Sequence, residues 1–128
     1  MGTRALIKID FQGESRGLVH YRGIDGYPDA VIPTLLGIVL PKTPLSALSG
    51  PQLLSLQDKL DEFAERVEPG EIDEVLCDYI YSITVEASGL QLYCQGGKEQ
   101  PKLVYAEVYR SMDGAIWTKR ASPGFDSW

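Results

Sequence analysis

The amino-acid sequence predicts an α+β fold, in which two helices pack on one face of a mostly antiparallel sheet of about six strands. Three observations support this prediction. Two short segments with alternating apolar residues open the chain, two segments with apolar residues at helical spacing follow, and four strand-like segments occupy the second half. Strands that flank a pair of helices, in the order β-β-α-α-β-β-β-β, are typical of helices that cover one face of such a sheet.

The first two strands are expected to form a hairpin. Apolar side chains alternate through residues 3–11, and LVHYR follows as the second strand. A turn between them would place opposite each other residues whose numbers sum to about 28. Lys8 would then lie opposite His20, and Arg4 would approach Asp25. The start of the chain is therefore expected beside the segment DGYP.

Two helices are expected next. The first begins at Pro28 or Asp29 and runs to about Leu40, since proline is tolerated in a first helical turn. The second is capped by Ser49 and ends at Pro69-Gly70. Its apolar stripe consists of Leu53, Leu56, Leu60, Phe63, Ala64 and Val67.

The second half of the chain reads as two β-hairpins. The first bends at Ser88-Gly89, which pairs Val85 with Leu92 and Ile83 with Cys94. The second bends at Asp113-Gly114, a favoured hairpin turn. We interpret residues 1–121 as a single domain and residues 122–128 as a tail.

Composition excludes several classes of function. The chain has 128 residues, a net charge of −6 and no apolar run near the roughly 20 residues that span a bilayer. A negative charge argues against binding to bulk nucleic acid, which requires a positive surface. Two cysteines without a CxxC pair, and one histidine, indicate reduced thiols and neither a metal site nor a cofactor. These features, with no secretion signal, predict a cytoplasmic protein without membrane contact.

The segment HYRGIDGYPDAV is the first candidate site. A strand end, a glycine-containing turn and a helix start could hold a small anion between Arg4 and Arg22. The structural alternative is a folding corner, in which Asp25 caps the turn and pairs with Arg4 while Tyr27 packs on the sheet. The predicted ligand-binding residues are Arg4, His20, Arg22, Asp25 and Tyr27.

Two surfaces are further candidates. The face of the sheet left open by the helices is expected to carry Lys8, His20, Arg22 and Tyr93, or some of them. Residues 58–78 contain nine acidic and two basic side chains, whose spacing does not match a calcium loop. We interpret the part of this segment before Pro69-Gly70 as a solvated helix face with Asp58, Asp61, Glu62 and Glu65 outside.

Two short motifs carry a resemblance to known proteins. MGTRA at the start and YRGIDGYP at residues 21–28 resemble a family of small, poorly characterised proteins of tailed phages and related mobile elements. The resemblance implies a phage-like origin but brings no settled activity. It singles out Arg4, Tyr21, Arg22, Asp25, Gly26, Tyr27 and Pro28.

These observations lead to one function hypothesis and two alternatives. We expect an accessory protein without enzymatic activity, located in the cytoplasm of the infected host cell. It would antagonise host defence by binding a host protein or a small anionic ligand such as a nucleotide signal. The first alternative is a small phosphoester hydrolase or nuclease that uses His20 and Asp25. The second is a structural or assembly protein. Exposed strand edges leave self-association to a homo-oligomer open.

Overall fold

A computed structural model describes residues 3–11, 17–39, 50–86, 89–97, 99–112 and 115–121, with side chains described as far as residue 107. The helices are α1 (Pro28–Val39) and α2 (Gly50–Asp61), and a 3-10 turn spans Glu74–Leu76. The strands are β1 (Ala5–Phe11), β2 (Gly17–Arg22), β3 (Glu65–Arg66), β4 (Tyr79–Glu86), β5 (Gly89–Gly96), β6 (Lys102–Met112) and β7 (Ala115–Ala121).

The described strands form one sheet in the order β3-β2-β1-β4-β5-β6-β7. Only β1 and β4 are parallel, whereas the other neighbours are antiparallel. The predicted α+β class with a mostly antiparallel sheet is therefore confirmed.

One hydrophobic cluster contains residues from both helices and from the centre of the sheet. Ile7, Ile83 and Leu92 represent β1, β4 and β5, and all three are fully buried. Leu35 of α1 and Leu60 of α2 belong to the same cluster. Side chains alternate between the two faces of a strand, so these sheet residues share one face.

The register of the first hairpin differs from the prediction by one residue. Ile7 lies opposite His20 and Ala5 opposite Arg22, so that paired numbers sum to 27 rather than 28. The predicted pairing of Lys8 with His20 is wrong. Because a shift of one residue exchanges the two faces of a strand, His20 and Arg22 lie on the face of the main cluster and not on the opposite face with Lys8.

The second helix is shorter than its apolar stripe predicts. It ends at Asp61, and residues 65–66 instead form β3, which pairs with Tyr21 and His20 at the edge of β2. The predicted end at Pro69-Gly70 is therefore wrong, because the backbone of residues 65–66 bonds to the sheet rather than to a further helical turn. The predicted cap at Ser49 lies outside the described residues.

The other face of the sheet is covered in part by residues 67–78, which we call the acidic strap. A second hydrophobic cluster packs Leu6 and Ile80 of the sheet against Val67 and Cys77 of the strap. The strap thus covers, over β1 and β4, the face of the sheet that was predicted to be open to solvent. Tyr93, opposite Ser82, does lie on this face, as expected.

The hairpin of β4 and β5 keeps the predicted face of each side chain, but its cross-strand residue pairs differ from the prediction. Val85 lies opposite Leu90 rather than Leu92, a shift of two residues that preserves which side chains face the main cluster. Gly89 is the first residue of β5, opposite Glu86, so the predicted bend at Ser88-Gly89 is wrong. Strands β6 and β7 are joined across residues 113–114. These residues, residue 88 and the predicted tail at 122–128 lie outside the described residues.

Candidate functional site

The DGYP segment is tied to the sheet through Gly26. The amide of Gly26 donates to the Thr3 carbonyl at 2.9 Å, and its own carbonyl accepts from the buried Tyr81 hydroxyl at 2.6 Å. A Cβ atom on Gly26 would lie 2.7 Å from the Thr3 oxygen and 2.8 Å from the Ala5 Cβ. The preceding Asp25 takes a left-handed backbone with φ of +52°. The expectation that the start of the chain lies beside DGYP is confirmed.

Arg22 is engaged with the end of the second helical segment. Its Nη1 donates to the Phe63 carbonyl at 2.6 Å, and its guanidinium carbon lies 4.6 Å from the centre of the Phe63 ring. Its Nε also donates to the Asp25 carbonyl at 3.4 Å. These contacts fasten β2 to the residues after α2 and use two of the five N–H donors of the guanidinium.

Arg4 is exposed and uses its backbone rather than its side chain. Its amide donates to Asp78 Oδ2 at 2.9 Å, and its carbonyl accepts from the amides of Asp78 and Tyr79. Within the described part of the chain, no ion pair joins Arg4 to Asp25. Asp25 therefore turns the backbone without the side-chain pairing that the structural alternative expects.

Tyr27 is the exposed end of an aromatic series. It is 54% exposed, and its ring centre lies 6.4 Å from that of Tyr79 in a tilted arrangement. Tyr79 in turn stacks on Tyr81 at 6.2 Å. Burial raises the pKa of the Tyr81 hydroxyl well above its ordinary value, so this group stays a neutral donor. Of the predicted site residues, Arg4, Asp25 and Tyr27 are thus the three that are exposed and whose side chains make no hydrogen bond or ion pair with another described residue.

His20 is buried and bonded to an aspartate that the sequence did not indicate. The ring is 1% exposed, and its Nε2 lies 2.9 Å from Asp61 Oδ1. Asp61 also accepts from Arg66, at 2.6 Å to Oδ2. Burial opposes ionisation of Asp61, but the hydrogen bonds from Arg66 and His20 outweigh it and lower the pKa of the carboxyl. The partner of His20 is therefore Asp61 and not Asp25.

The network of His20, Asp61 and Arg66 has a structural role. It joins β2, the last residue of α2 and β3, which are the elements whose meeting ends the helix. His20 Nδ1 has no hydrogen-bond partner among the described residues, and a ring with 1% exposure presents no face to a substrate. In this arrangement the imidazole fastens the sheet edge to the end of α2.

The acidic strap is the most distinctive surface. It has five carboxylates and no lysine or arginine. Lys8 Nζ holds it to β1 through Glu74 Oε1 at 2.6 Å, and Asp73 Oδ1 accepts from the Val75 amide at 3.0 Å. The side chains of Val75 and Leu76 are 88% and 61% exposed. The strap therefore presents an apolar pair on a folded, negatively charged segment.

A cavity of about 770 Å³ lies between the strap and strands β1 and β2. Apolar walls come from Leu6, Val19 and Ile72. Charged walls come from Lys8, Asp10, Glu68, Asp73 and Glu74. The surface beside Val75 is thus concave as well as acidic. In the described residues, no group of three or more histidine, cysteine or acidic side chains is arranged to hold a metal ion.

Sequence reasoning assigned this acidity to a helix and so missed the strap. The available signal was the apolar pair Val75-Leu76 in an acidic run beyond Pro69-Gly70, where the helix was predicted to end. None of the described helices has the length and apolar character needed to cross a membrane. Comparison of the chain with protein-family models, curated proteins and solved structures gives no match.

Proposed function

We propose that this protein is a non-enzymatic accessory protein of a phage or mobile element that binds a host protein through the acidic strap and so antagonises a host defence. The observation that carries the proposal is the exposure of Val75 and Leu76 on the strap, 88% and 61%. Single exposed apolar residues are ordinary. A fixed apolar pair with a charged surround has the composition of an interface anchor and its polar rim.

The charge of the strap defines the chemistry of the partner. Five carboxylates and no cationic side chain lie between residues 67 and 78, and Lys8 neutralises only Glu74. Asp10 adds a further carboxylate to the wall of the adjacent cavity. Complementary charge steers association and selects partners, so we expect a partner surface rich in lysine and arginine around an apolar patch.

The strap is also held ready for binding. The Val67 amide donates to the Val19 carbonyl at 3.0 Å, and the Asp78 amide donates to the Arg4 carbonyl at 2.9 Å. Both ends are therefore bonded to the sheet, with the Lys8–Glu74 contact between them. A segment that is already ordered loses less conformational freedom on binding, which favours affinity.

The setting of the proposal comes from the resemblance of MGTRA and YRGIDGYP to proteins of tailed phages. It implies that the partner is a host protein in the cytoplasm of the infected cell. The hydrolase alternative requires His20 and Asp25 to act on one phosphoester. The hydrogen bond from His20 to Asp61 and the burial of the ring favour a binding protein over that alternative.

The test is site-specific photo-crosslinking in host cells, with a photoreactive amino acid at position 75. A matched control carries it at position 54, because Leu54 is 60% exposed and belongs to α2 rather than to the strap. We expect position 75, and not position 54, to capture one host protein with a basic surface. With that protein purified, Val75→Ser should weaken binding at least ~10-fold. Leu54→Ser should leave binding unchanged.

The role of charge is tested separately. Glu68→Lys should weaken binding of the same purified partner, and wild-type affinity should fall as salt rises. Equal capture from positions 75 and 54 would overturn the proposal. A captured protein whose affinity is unchanged by Val75→Ser and by salt concentration would also overturn it.

One observation favours a small anionic ligand as a second candidate function. Arg4 is exposed at the same end of the sheet as Tyr27, and the structure gives its guanidinium no hydrogen-bond acceptor among the described residues. Native mass spectrometry of the protein purified from host cells tests this. A co-purified anion that Arg4→Ala removes and Lys59→Ala retains would support the candidate, whereas a bare chain mass would reject it.

A further inference from the structure

The hairpin formed by β6 and β7 extends past the rest of the sheet. The first residue of β5, Gly89, lies opposite Val108, so β5 accompanies β6 no further. Residues 109–112 of β6 pair only with residues 115–118 of β7. The outer part of this hairpin is therefore a ribbon of two strands, whereas the body of the sheet has more.

No described strand pairs with the outer edge of this ribbon. Strand β7 ends the sheet on one side, and among the described strands it has β6 as its single neighbour. The opposite end of the sheet is β3, with two residues. A two-stranded ribbon is marginally stable in water, and a long edge strand is a template for pairing with another chain.

The register fixes which amides point outward along β7. Residues that flank a two-residue connection exchange hydrogen bonds, so the pair Met112/Ala115 is bonded, and bonded pairs then alternate along the ladder. The amides of residues 115, 117, 119 and 121 thus point to β6. The amides of Ile116, Thr118 and Arg120 point away from the sheet.

We propose that two copies of the chain pair antiparallel through β7, forming one continuous sheet across a two-fold axis. The occupant is a second copy because, among the described strands, β7 is the one long edge of each chain, and a two-fold axis pairs that edge with itself. This pairing supplies the two-stranded ribbon with a third and a fourth strand. It is independent of the partner-binding role of the acidic strap and leaves residues 67–78 unused.

The test measures mass in solution by light scattering after size-exclusion chromatography. The wild type should have twice the chain mass of 14.1 kDa. Thr118→Pro removes an outward amide without touching a bond to β6, so it should give the monomer mass. Thr118→Ala keeps that amide and should stay dimeric. Circular dichroism of each variant checks that the fold survives.

Residue-resolved hydrogen exchange keeps the proposal testable even if Thr118→Pro does not fold. In the wild type, amides 117 and 119 should be protected at every concentration. Amides 116, 118 and 120 should gain protection only as the concentration rises. A monomer mass for the wild type at its highest soluble concentration would overturn the proposal. A dimeric Thr118→Pro variant, or amides 116 and 118 protected independently of concentration, would do the same.

Discussion

Replacing Gly26 with alanine should destabilise the protein more than the addition of one methyl group suggests. The added Cβ would lie 2.7 Å from the Thr3 carbonyl oxygen and 2.8 Å from the Ala5 Cβ, distances that require the backbone to move. Overpacking of this kind costs typically about 1–3 kcal/mol, and the site is rigid because Gly26 bonds to Thr3. Weakening that hydrogen bond adds about 1 kcal/mol, while the lower entropy of the unfolded alanine chain returns about 0.7 kcal/mol.

The expected loss is therefore about 2 kcal/mol, equivalent to a fall in Tm of roughly 8 °C for a chain of 128 residues. Thermal and urea unfolding followed by circular dichroism would measure it. Gly37→Ala is the matched control, because Gly37 lies in α1 and a Cβ there meets nothing within 4 Å. That variant should gain up to about 1 kcal/mol. If the two variants have the same Tm and the same urea midpoint, the short Cβ distances at Gly26 do not affect stability and the prediction is wrong.

Three further predictions follow from the polar contacts. Tyr81→Phe should lose about 1–2 kcal/mol in urea unfolding, because the Gly26 carbonyl loses a buried donor; an unchanged midpoint would contradict this. Asp61→Asn should lower stability at pH 7. Because the folded pKa of Asp61 is lowered, its stabilisation is present above the unfolded pKa of about 4 and is lost as the pH falls through the folded value. The gap between variant and wild type should thus narrow below pH ~4, and a constant gap would exclude ionisation as the cause. Cys77 should react slowly with iodoacetamide, since burial and neighbouring carboxylates raise its pKa, and faster in urea; equal rates would show the thiol to be accessible in the fold.

The sequence predicts most elements of the fold because their signals are local. Pro28 opens α1, and the alternation in β1 and β4 places Ile7 and Ile83 on one face, in the main cluster. The first register could not be fixed in this way, because the sequence QGESR at 12–16 has no Asn-Gly or Asp-Gly dipeptide of the kind that dictates a two-residue loop. An error of one residue was enough to put His20 and Arg22 on the wrong face.

The end of α2 shows a second limit. Phe63, Ala64 and Val67 continue the helical spacing, yet the chain turns to pair residues 65–66 with β2. That outcome depends on the contact of His20 with Asp61, across 41 residues of sequence. The acidic strap is likewise defined by contacts with strands distant in sequence. Composition revealed its charge but not the face that it covers.

The parallel pairing of β1 with β4 has a consequence for how the chain folds during synthesis. Ala5 pairs with Tyr79, which is made 74 residues later. Until β4 leaves the ribosome, the backbone hydrogen-bonding groups of β1 on the side away from β2 lack the strand with which they pair in the fold. Closing so long a loop is entropically slow, and unpaired strand edges promote aggregation meanwhile. We therefore expect the nascent chain to depend on chaperones up to about Glu86, and folding yield to be more sensitive to changes in β1 than in β7.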